Sequence, residues 1–215
     1  MSIDTFVGGR EGVWEITRIQ AIAGAGLDMA PRLSVFNGPC IDAPSMASWL
    51  LRGAASHVRY STRSELTRLA QVQPRLGRDE STMAVLIPMG KSSDWWELAQ
   101  DERQAIFGKS SRHAEIGMDH LPAVARKLYH CRDLGEPFDF LTWFEFAPEN
   151  EAAFDRLLAR LRSTQEWRYV DHEVEVRLTR LRNQRRPSHR RDQSPPSCKD
   201  QSGSTTNLGR QMRAS

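Results

Sequence analysis

The chain has 215 residues, of which 39% are hydrophobic and 27% are charged, a composition typical of a globular protein with one sizeable core or two small ones. It contains no run of about 18 apolar residues, which excludes a transmembrane helix, and its N-terminus lacks the basic start and apolar stretch of a secretory signal. The three cysteines, Cys40, Cys131 and Cys198, are scattered without metal-ligand spacing. These features predict a cytoplasmic protein.

The net charge of +3 is unevenly distributed along the chain. Residues 183–215 contain seven Lys or Arg and two Asp, a net charge of +5, so the residues before them carry −2. This basic segment is rich in Ser and Pro and has few large apolar residues, which predicts a disordered tail. A basic tail can contact nucleic acid, but a solvated tail without a specific nucleic-acid or membrane partner is the preferred interpretation.

Residues 1–81 are predicted to contain strands and no clear helix. Residues 1–12 form a loose start, and the alternation over residues 13–23 predicts a strand. A second strand is expected over residues 48–61, with a bulge at Gly53. The connection between these strands has no clear form, residues 62–73 are ambiguous between helix and strand, and a turn is expected near residues 76–80. This segment is interpreted as a reduced partner sheet.

From residue 82 the pattern becomes clearer. TMAVLIPMG predicts an apolar strand that Pro88 and Gly90 stop, and WWELAQDERQAIF then predicts a helix with Trp95 facing inward. A further helical segment, RHAEIGMDHL, is ended by Pro122. A β-hairpin with a turn at residues 135–137 follows, then an amphipathic helix after Pro148 and a last alternating strand, DHEVEVRLTRL.

The second strand of this hairpin is apolar on both faces. Phe138, Phe140, Phe144 and Phe146 share one face, and Leu141 and Trp143 share the other, so both faces are expected to be covered. In the first strand, Arg126 follows the same alternation as Leu128 and His130. A guanidinium on an apolar face is costly without a partner or an anionic ligand. The residues leave open an ion pair with Asp133 or Glu145.

The element order from residue 82 is β-α-β-β-α-β, which is typical of a ferredoxin-like α+β unit with helices on one face of an antiparallel sheet. The predicted organisation is therefore a reduced N-terminal ferredoxin-like half at residues 1–81, a ferredoxin-like half at residues 82–182, and the tail at 183–215. The second face of the sheet is expected to meet a ligand, the N-terminal strands or a second subunit.

Two of the six histidines lie on the helical segment that precedes the hairpin. His113 and His120 are seven residues apart and so lie on about the same helix face, but their spacing matches no common zinc motif. From the residues alone, His113 remains open between a ligand and an ordinary polar side chain. Glu166 similarly remains open between a functional carboxylate and a solvated group at a helix end.

Three stretches carry a resemblance to a known family: KSSDWWELAQDER, SSRHAEIGMDHLP and ARKLYHCRDLGEPFDFLTWFEFAP. They resemble, in order and spacing, the haem-binding half of the chlorite dismutases. The likeness extends from about residue 10 to residue 181. The short N-terminal part is similar to the smaller, dimeric branch, so the resemblance implies a ferredoxin-like α+β barrel with haem b and a homodimer.

The resemblance also implies roles for particular residues. His113 would be the proximal iron ligand, Glu166 the carboxylate that accepts its hydrogen bond, Arg126 the distal arginine and Gln73 the residue that holds this arginine. The segment near the haem propionates and the subunit contact would include Lys91, Trp95 and Trp96. Met89 departs from members that have an aromatic residue near that position.

The implied activity is that of a haem-dependent enzyme that decomposes chlorite to chloride and dioxygen, with Arg126 binding the small anion. Two alternatives stay open. One is a coproheme decarboxylase-like enzyme, although none of the three tyrosines lies near Lys91 in the sequence. The other is a haem-binding or sensing protein without turnover.

Overall fold

A computed structural model describes residues 2–38, 46–55 and 63–181 of the chain, so the predicted tail lies outside the described residues. The strands are β1 Ile3–Gly9, β2 Trp14–Ala23, β3 Arg32–Asn37, β4 Ala47–Ala55, β5 Met83–Lys91, β6 Val124–His130, β7 Phe140–Phe146 and β8 Val170–Arg180. The α-helices are α1 Arg63–Val72, α2 Ser93–Glu97, α3 Gln100–Gln104, α4 His113–Met118 and α5 Glu151–Arg162. No helix in these ranges is long and apolar enough to cross a membrane.

The eight strands form one closed barrel in the order β1-β3-β2-β8-β5-β7-β6-β4, and the paired strands are antiparallel. Strands β1 to β4 are therefore neighbours in one half of the barrel, and β5 to β8 are neighbours in the other. This confirms the predicted ferredoxin-like α+β barrel, since each half supplies a contiguous four-stranded sheet. The predicted domain boundaries stay a prediction.

The molecule has two apolar cores, which lie on opposite faces of the C-terminal sheet. The first fills the barrel and includes Phe6, Trp14 and Trp143. The second lies outside, where Phe144 and Phe146 pack beneath the helices. The prediction that β7 is covered on both faces is thus confirmed, because its odd-numbered residues face the barrel and its even-numbered residues face the helices.

Two expectations for the strands are wrong, and a strand also lies in a segment whose form the sequence leaves open. The expected loose start is β1, where a Cβ on Gly8 would overlap the Trp49 ring, so this glycine permits close packing. The bulge lies beside Gly9 rather than at Gly53, whose added Cβ would be 2.5 Å from the Cβ of Tyr129. Strand β3 occupies part of the connection that had no clear form.

Pro88 does not stop β5, which continues to Lys91. The proline pairs in register with Leu141 of β7 and falls where the ladder to β8 is interrupted, so its missing N–H is tolerated. The single helix expected after β5 is divided into α2, α3 and a π-helical segment, Ala105–Ser110. The break follows from the extended backbone at Leu98 and Ala99, whose ψ angles are 144° and 161°.

Candidate functional site

A partly buried His113 and a buried Glu166 form a hydrogen-bonded pair between two separate elements. His113 is the first residue of α4, and Glu166 begins a short 3₁₀ segment, Glu166–Tyr169, after α5. The His113 Nδ1 atom lies 2.8 Å from Glu166 Oε2. An ionised carboxylate can only accept, so Nδ1–H is the donor, and this tautomer leaves Nε2 with a free lone pair for a metal. The imidazole also stacks on Phe107, with ring centroids 4.5 Å apart.

Lys91 binds the other oxygen of the Glu166 carboxylate. Its Nζ lies 2.8 Å from Oε1, and both side chains are more than nine-tenths buried. Burial by itself would raise the pKa of Glu166, but hydrogen bonds and charge interactions with His113 and Lys91 outweigh it and hold the pKa at about 2. Glu166 is therefore an anion at neutral pH. Lys91, which was expected beside the propionates, is placed against this carboxylate because the end of β5 pairs with Val170.

The two adjacent tryptophans lie in different surroundings. Trp95 is buried, its ring lies under the Lys91 ammonium at 4.7 Å, and it packs against Tyr169 at 5.4 Å. Tyr169 is thus close to Lys91 in space, although it is distant in sequence. Trp96 is partly exposed and donates through Nε1 to Asp139, 3.2 Å away. Of the pair, only Trp95 belongs to the cluster around Glu166.

Arg126 extends from β6 toward the helix that carries His113. It pairs in register with Phe144, on the face of the sheet that the helices cover. A Cβ added to Gly117 would lie 3.9 Å from the Arg126 Nη1 atom, and Gly117 is four residues, or about one turn, after His113. The imidazole therefore comes from helix α4, and the guanidinium comes from the sheet on which that helix packs.

Among the carboxylates whose side chains the structure describes, none forms an ion pair with the Arg126 guanidinium. Glu145, one of the partners left open by the sequence, instead accepts the Gly77 N–H at 2.5 Å and the Trp143 indole N–H at 2.9 Å. Burial lowers the pKa of Arg126, yet a guanidinium remains protonated in proteins. Arg126 is thus a permanent cation at this site.

Gln73 contacts Arg126 through the main chain rather than through the guanidinium. Its Nε2 atom donates to the Arg126 carbonyl oxygen at 2.8 Å. The same segment is tied down at Gly77 by Glu145, and Arg78 donates to the carbonyl oxygen of Ala123 at 3.2 Å. Residues 73–78 therefore run beside β6 and hold the backbone from which Arg126 extends.

Ser111 is a site residue that sequence reasoning missed. Its Oγ atom accepts the main-chain N–H of Glu166 at 2.9 Å, and Ser111 is buried. Its partner lies 55 residues away in the sequence. No local pattern indicates a contact over that separation.

The arrangement fits a haem group. The imidazole has a free Nε2 and an anionic carboxylate on Nδ1, and the Arg126 cation lies near the same helix. These groups suit an iron that is held mainly by its own macrocycle. No cluster of three or more His, Cys, Asp or Glu able to hold a metal ion occurs within the described ranges. The fold and these residues define the class of a ferredoxin-like barrel protein with a carboxylate-bound histidine and an arginine from the sheet near the same helix.

Comparison with known proteins identifies the family. The chlorite dismutase family model matches residues 44–182, and the chain belongs to this family. A curated chlorite dismutase of Ideonella dechloratans is 33% identical over 91 residues, which are 42% of this chain and 30% of that protein. The matched region thus spans less than a third of that relative's length.

Solved structures extend the comparison to most of the chain. A dimeric chlorite dismutase from Nitrobacter winogradskyi is 49% identical, with a TM-score of 0.77, and the match covers 83% of this chain and 99% of that one. A mutant chlorite dismutase from Candidatus Nitrospira defluvii is 18% identical, with a TM-score of 0.57 and coverage of 83% and 90%. The second similarity concerns the fold alone.

Proposed function

We propose that this protein is a haem b-dependent chlorite dismutase that converts chlorite to chloride and dioxygen. The observation that carries the proposal is the His113–Glu166 hydrogen bond together with the Arg126 guanidinium near the same helix, which has no ion pair with any described carboxylate side chain. Family membership and the 49% identity to the Nitrobacter winogradskyi protein support it.

On this proposal, His113 binds the haem iron through Nε2. Glu166, which is ionised because its pKa is held at about 2, accepts the Nδ1 proton and fixes the tautomer of the ring. The hydrogen bond makes the imidazole a stronger electron donor, and this favours ferric iron. The haem, when bound, supplies the iron centre at which the oxygen chemistry of chlorite takes place.

Arg126 binds the anion and retains its fragments. Chlorite carries one negative charge, and the guanidinium offers a fixed positive charge and several N–H donors in a protected setting. The overall reaction, ClO₂⁻ to Cl⁻ and O₂, balances without an added proton, electron or water. A group that stays positively charged throughout therefore suits the site, and no general base is required.

We also propose that the protein is a homodimer, because it is similar over nearly the whole length of the dimeric Nitrobacter winogradskyi enzyme. Sedimentation of the purified protein should give a mass twice that of one chain. A monomer at micromolar concentration would contradict this part of the proposal.

The experiment is anaerobic addition of chlorite to haem-loaded protein at an oxygen electrode. The wild type should release one O₂ per chlorite consumed, and Arg126→Ala should lose about a hundredfold in rate, by analogy with the removal of other charge-stabilising groups. Lys127→Ala is the matched control. It removes the neighbouring cation on the same strand, but that cation binds Asp4 on the opposite face, so the rate should persist.

The outcomes separate the alternatives. A protein that takes up no porphyrin would end the proposal. A Soret band without oxygen release would indicate a haem-binding or sensing protein, and decarboxylation of coproheme with peroxide would indicate the other enzyme. If Arg126→Ala kept the full rate of oxygen release, and its haem absorbance did not bleach during turnover of chlorite, the role given to Arg126 would be wrong.

A further inference from the structure

Glu166 is held at each of its polar atoms. Its main-chain N–H donates to Ser111 Oγ at 2.9 Å, and its carbonyl oxygen lies 3.4 Å from Lys91 Nζ. One carboxylate oxygen accepts from Lys91 and the other from His113, each at 2.8 Å. Because partners fix both its backbone and its side chain, the carboxylate has little freedom to turn away from the imidazole.

Two of these partners, Ser111 and His113, are separated by one residue with an unusual backbone. Arg112 has φ 51° and ψ 35°, in the left-handed region, and it is the only non-glycine residue with a positive φ in the part of the chain that the structure describes. A non-glycine residue there costs free energy and persists where the surrounding structure requires it.

The side chain of Arg112 does not explain this conformation. It is 70% exposed, and within the described part of the chain its ion-pair partner is Glu115, three residues along α4. An exposed pair of this kind contributes little to stability. The left-handed turn instead serves the residues on either side of Arg112. Ser111 and His113 both form hydrogen bonds with Glu166.

We propose that Ser111, Arg112 and His113 form a positioning turn that aligns Glu166 with the His113 ring. Ser111 is a positioning residue that fixes the Glu166 backbone, and the left-handed backbone at Arg112 brings Ser111 and His113 onto the same partner. This inference rests on the proposed role of His113, and it adds two residues to the site.

Two pairs of variants test the turn. Arg112→Gly and Arg112→Val remove the same exposed ion pair, but glycine adopts the left-handed region readily and β-branched valine does not. Ser111→Ala removes the buried acceptor, and Ser110→Ala removes the neighbouring exposed hydroxyl as its matched control. The paired design separates the backbone effect and the hydroxyl effect from general loss of surface contacts.

The first measurement uses the haem-free protein and follows exchange of the His113 Nδ1 proton with water by nitrogen-edited NMR. Arg112→Val and Ser111→Ala should speed this exchange on the order of tenfold, because the proton is released when the acceptor moves away. Arg112→Gly and Ser110→Ala should match the wild type. In the haem-loaded protein, the first two variants should also raise the reduction midpoint potential, since the imidazole becomes a weaker donor.

Unchanged exchange in Arg112→Val and Ser111→Ala would overturn the inference, as would equal acceleration in Arg112→Gly and Arg112→Val. If Arg112→Val fails to fold, the comparison of Ser111→Ala with Ser110→Ala decides. Failure of the proposed function is distinguishable: wild-type protein that takes up no haem would refute that function, and the exchange rates in the haem-free protein would still test the positioning turn.

Discussion

Replacing Lys91 by Met should destabilise the haem-free protein by about 3 kcal/mol, because breaking a buried ion pair leaves an uncompensated charge. The Lys91 and Glu166 side chains are only 2% and 6% exposed, and their charged atoms are 2.8 Å apart. Methionine keeps most of the volume of lysine but offers Glu166 no donor. His113 still binds the carboxylate, which places the expected loss at the lower end of the usual range.

The assay is equilibrium unfolding of the haem-free protein in urea, followed by tryptophan fluorescence. In a separate thermal unfolding experiment, a loss of this size would lower the unfolding temperature by about 6–12 °C for a domain of this length. The double variant with Glu166→Gln tests the mechanism. In that background Lys91 has no anionic partner, so Lys91→Met should cost far less than it does in the wild type.

Asp119→Asn is the matched control, since it removes an ion pair with Arg160 in which both side chains are more than half exposed. Its expected cost is at most about 1 kcal/mol. A cost below about 1 kcal/mol for Lys91→Met would refute the argument, as would purely additive effects with Glu166→Gln, because either result means that the buried pair contributes no more than a surface pair.

Three further predictions concern the barrel. Burial opposes ionisation of Glu175, but its arginine partners hold the pKa at about 2, so its contribution to stability is present above pH 4.5 and is lost as pH falls toward 2. The free energy of unfolding in urea should therefore fall with pH over this range, and Glu175→Gln should weaken this pH dependence. Gly53→Ala should cost about 1–3 kcal/mol because of Tyr129, whereas Gly108→Ala, with no atom within 4 Å, should not; equal melting temperatures would contradict this. Glu145→Gln should cost about 1–3 kcal/mol, measured in urea, since it weakens a buried acceptor of two N–H groups; an unchanged midpoint would refute it.

Local patterns were sufficient for the elements that carry regular apolar periodicity. The two-sided apolar pattern of β7 predicted a strand covered on both faces, and the spacing of Phe154, Leu157, Leu158 and Leu161 predicted α5; all four of these α5 residues are buried. Such patterns succeed because side-chain direction repeats every two residues in a strand and every 3.6 in a helix.

The same patterns failed where glycine or proline serves close packing. Residues 1–12 were expected to form a loose start and Pro88 to stop a strand, yet Gly8 and Pro88 both lie within strands. A glycine that makes room for a packed side chain can be told from a flexible one only by the neighbour that packs against it. For Gly8 that neighbour is Trp49, which is 41 residues away in the sequence.

The functional site also divides into features that the sequence indicated and features that only the fold decided. Of the three central residues, the alternation pattern singled out only Arg126, because a guanidinium on an apolar face needs a partner or an anionic ligand. The residues alone left His113 and Glu166 open, and their roles came from the family resemblance. Their assignment to partners needed the folded chain: Lys91 belongs with Glu166, Gln73 holds the Arg126 backbone, and Glu145 faces away from the guanidinium. Hydrogen bonds depend on atoms that meet within about 3 Å, and only the folded sheet with its packed connections brings segments 53 and 75 residues apart to that distance.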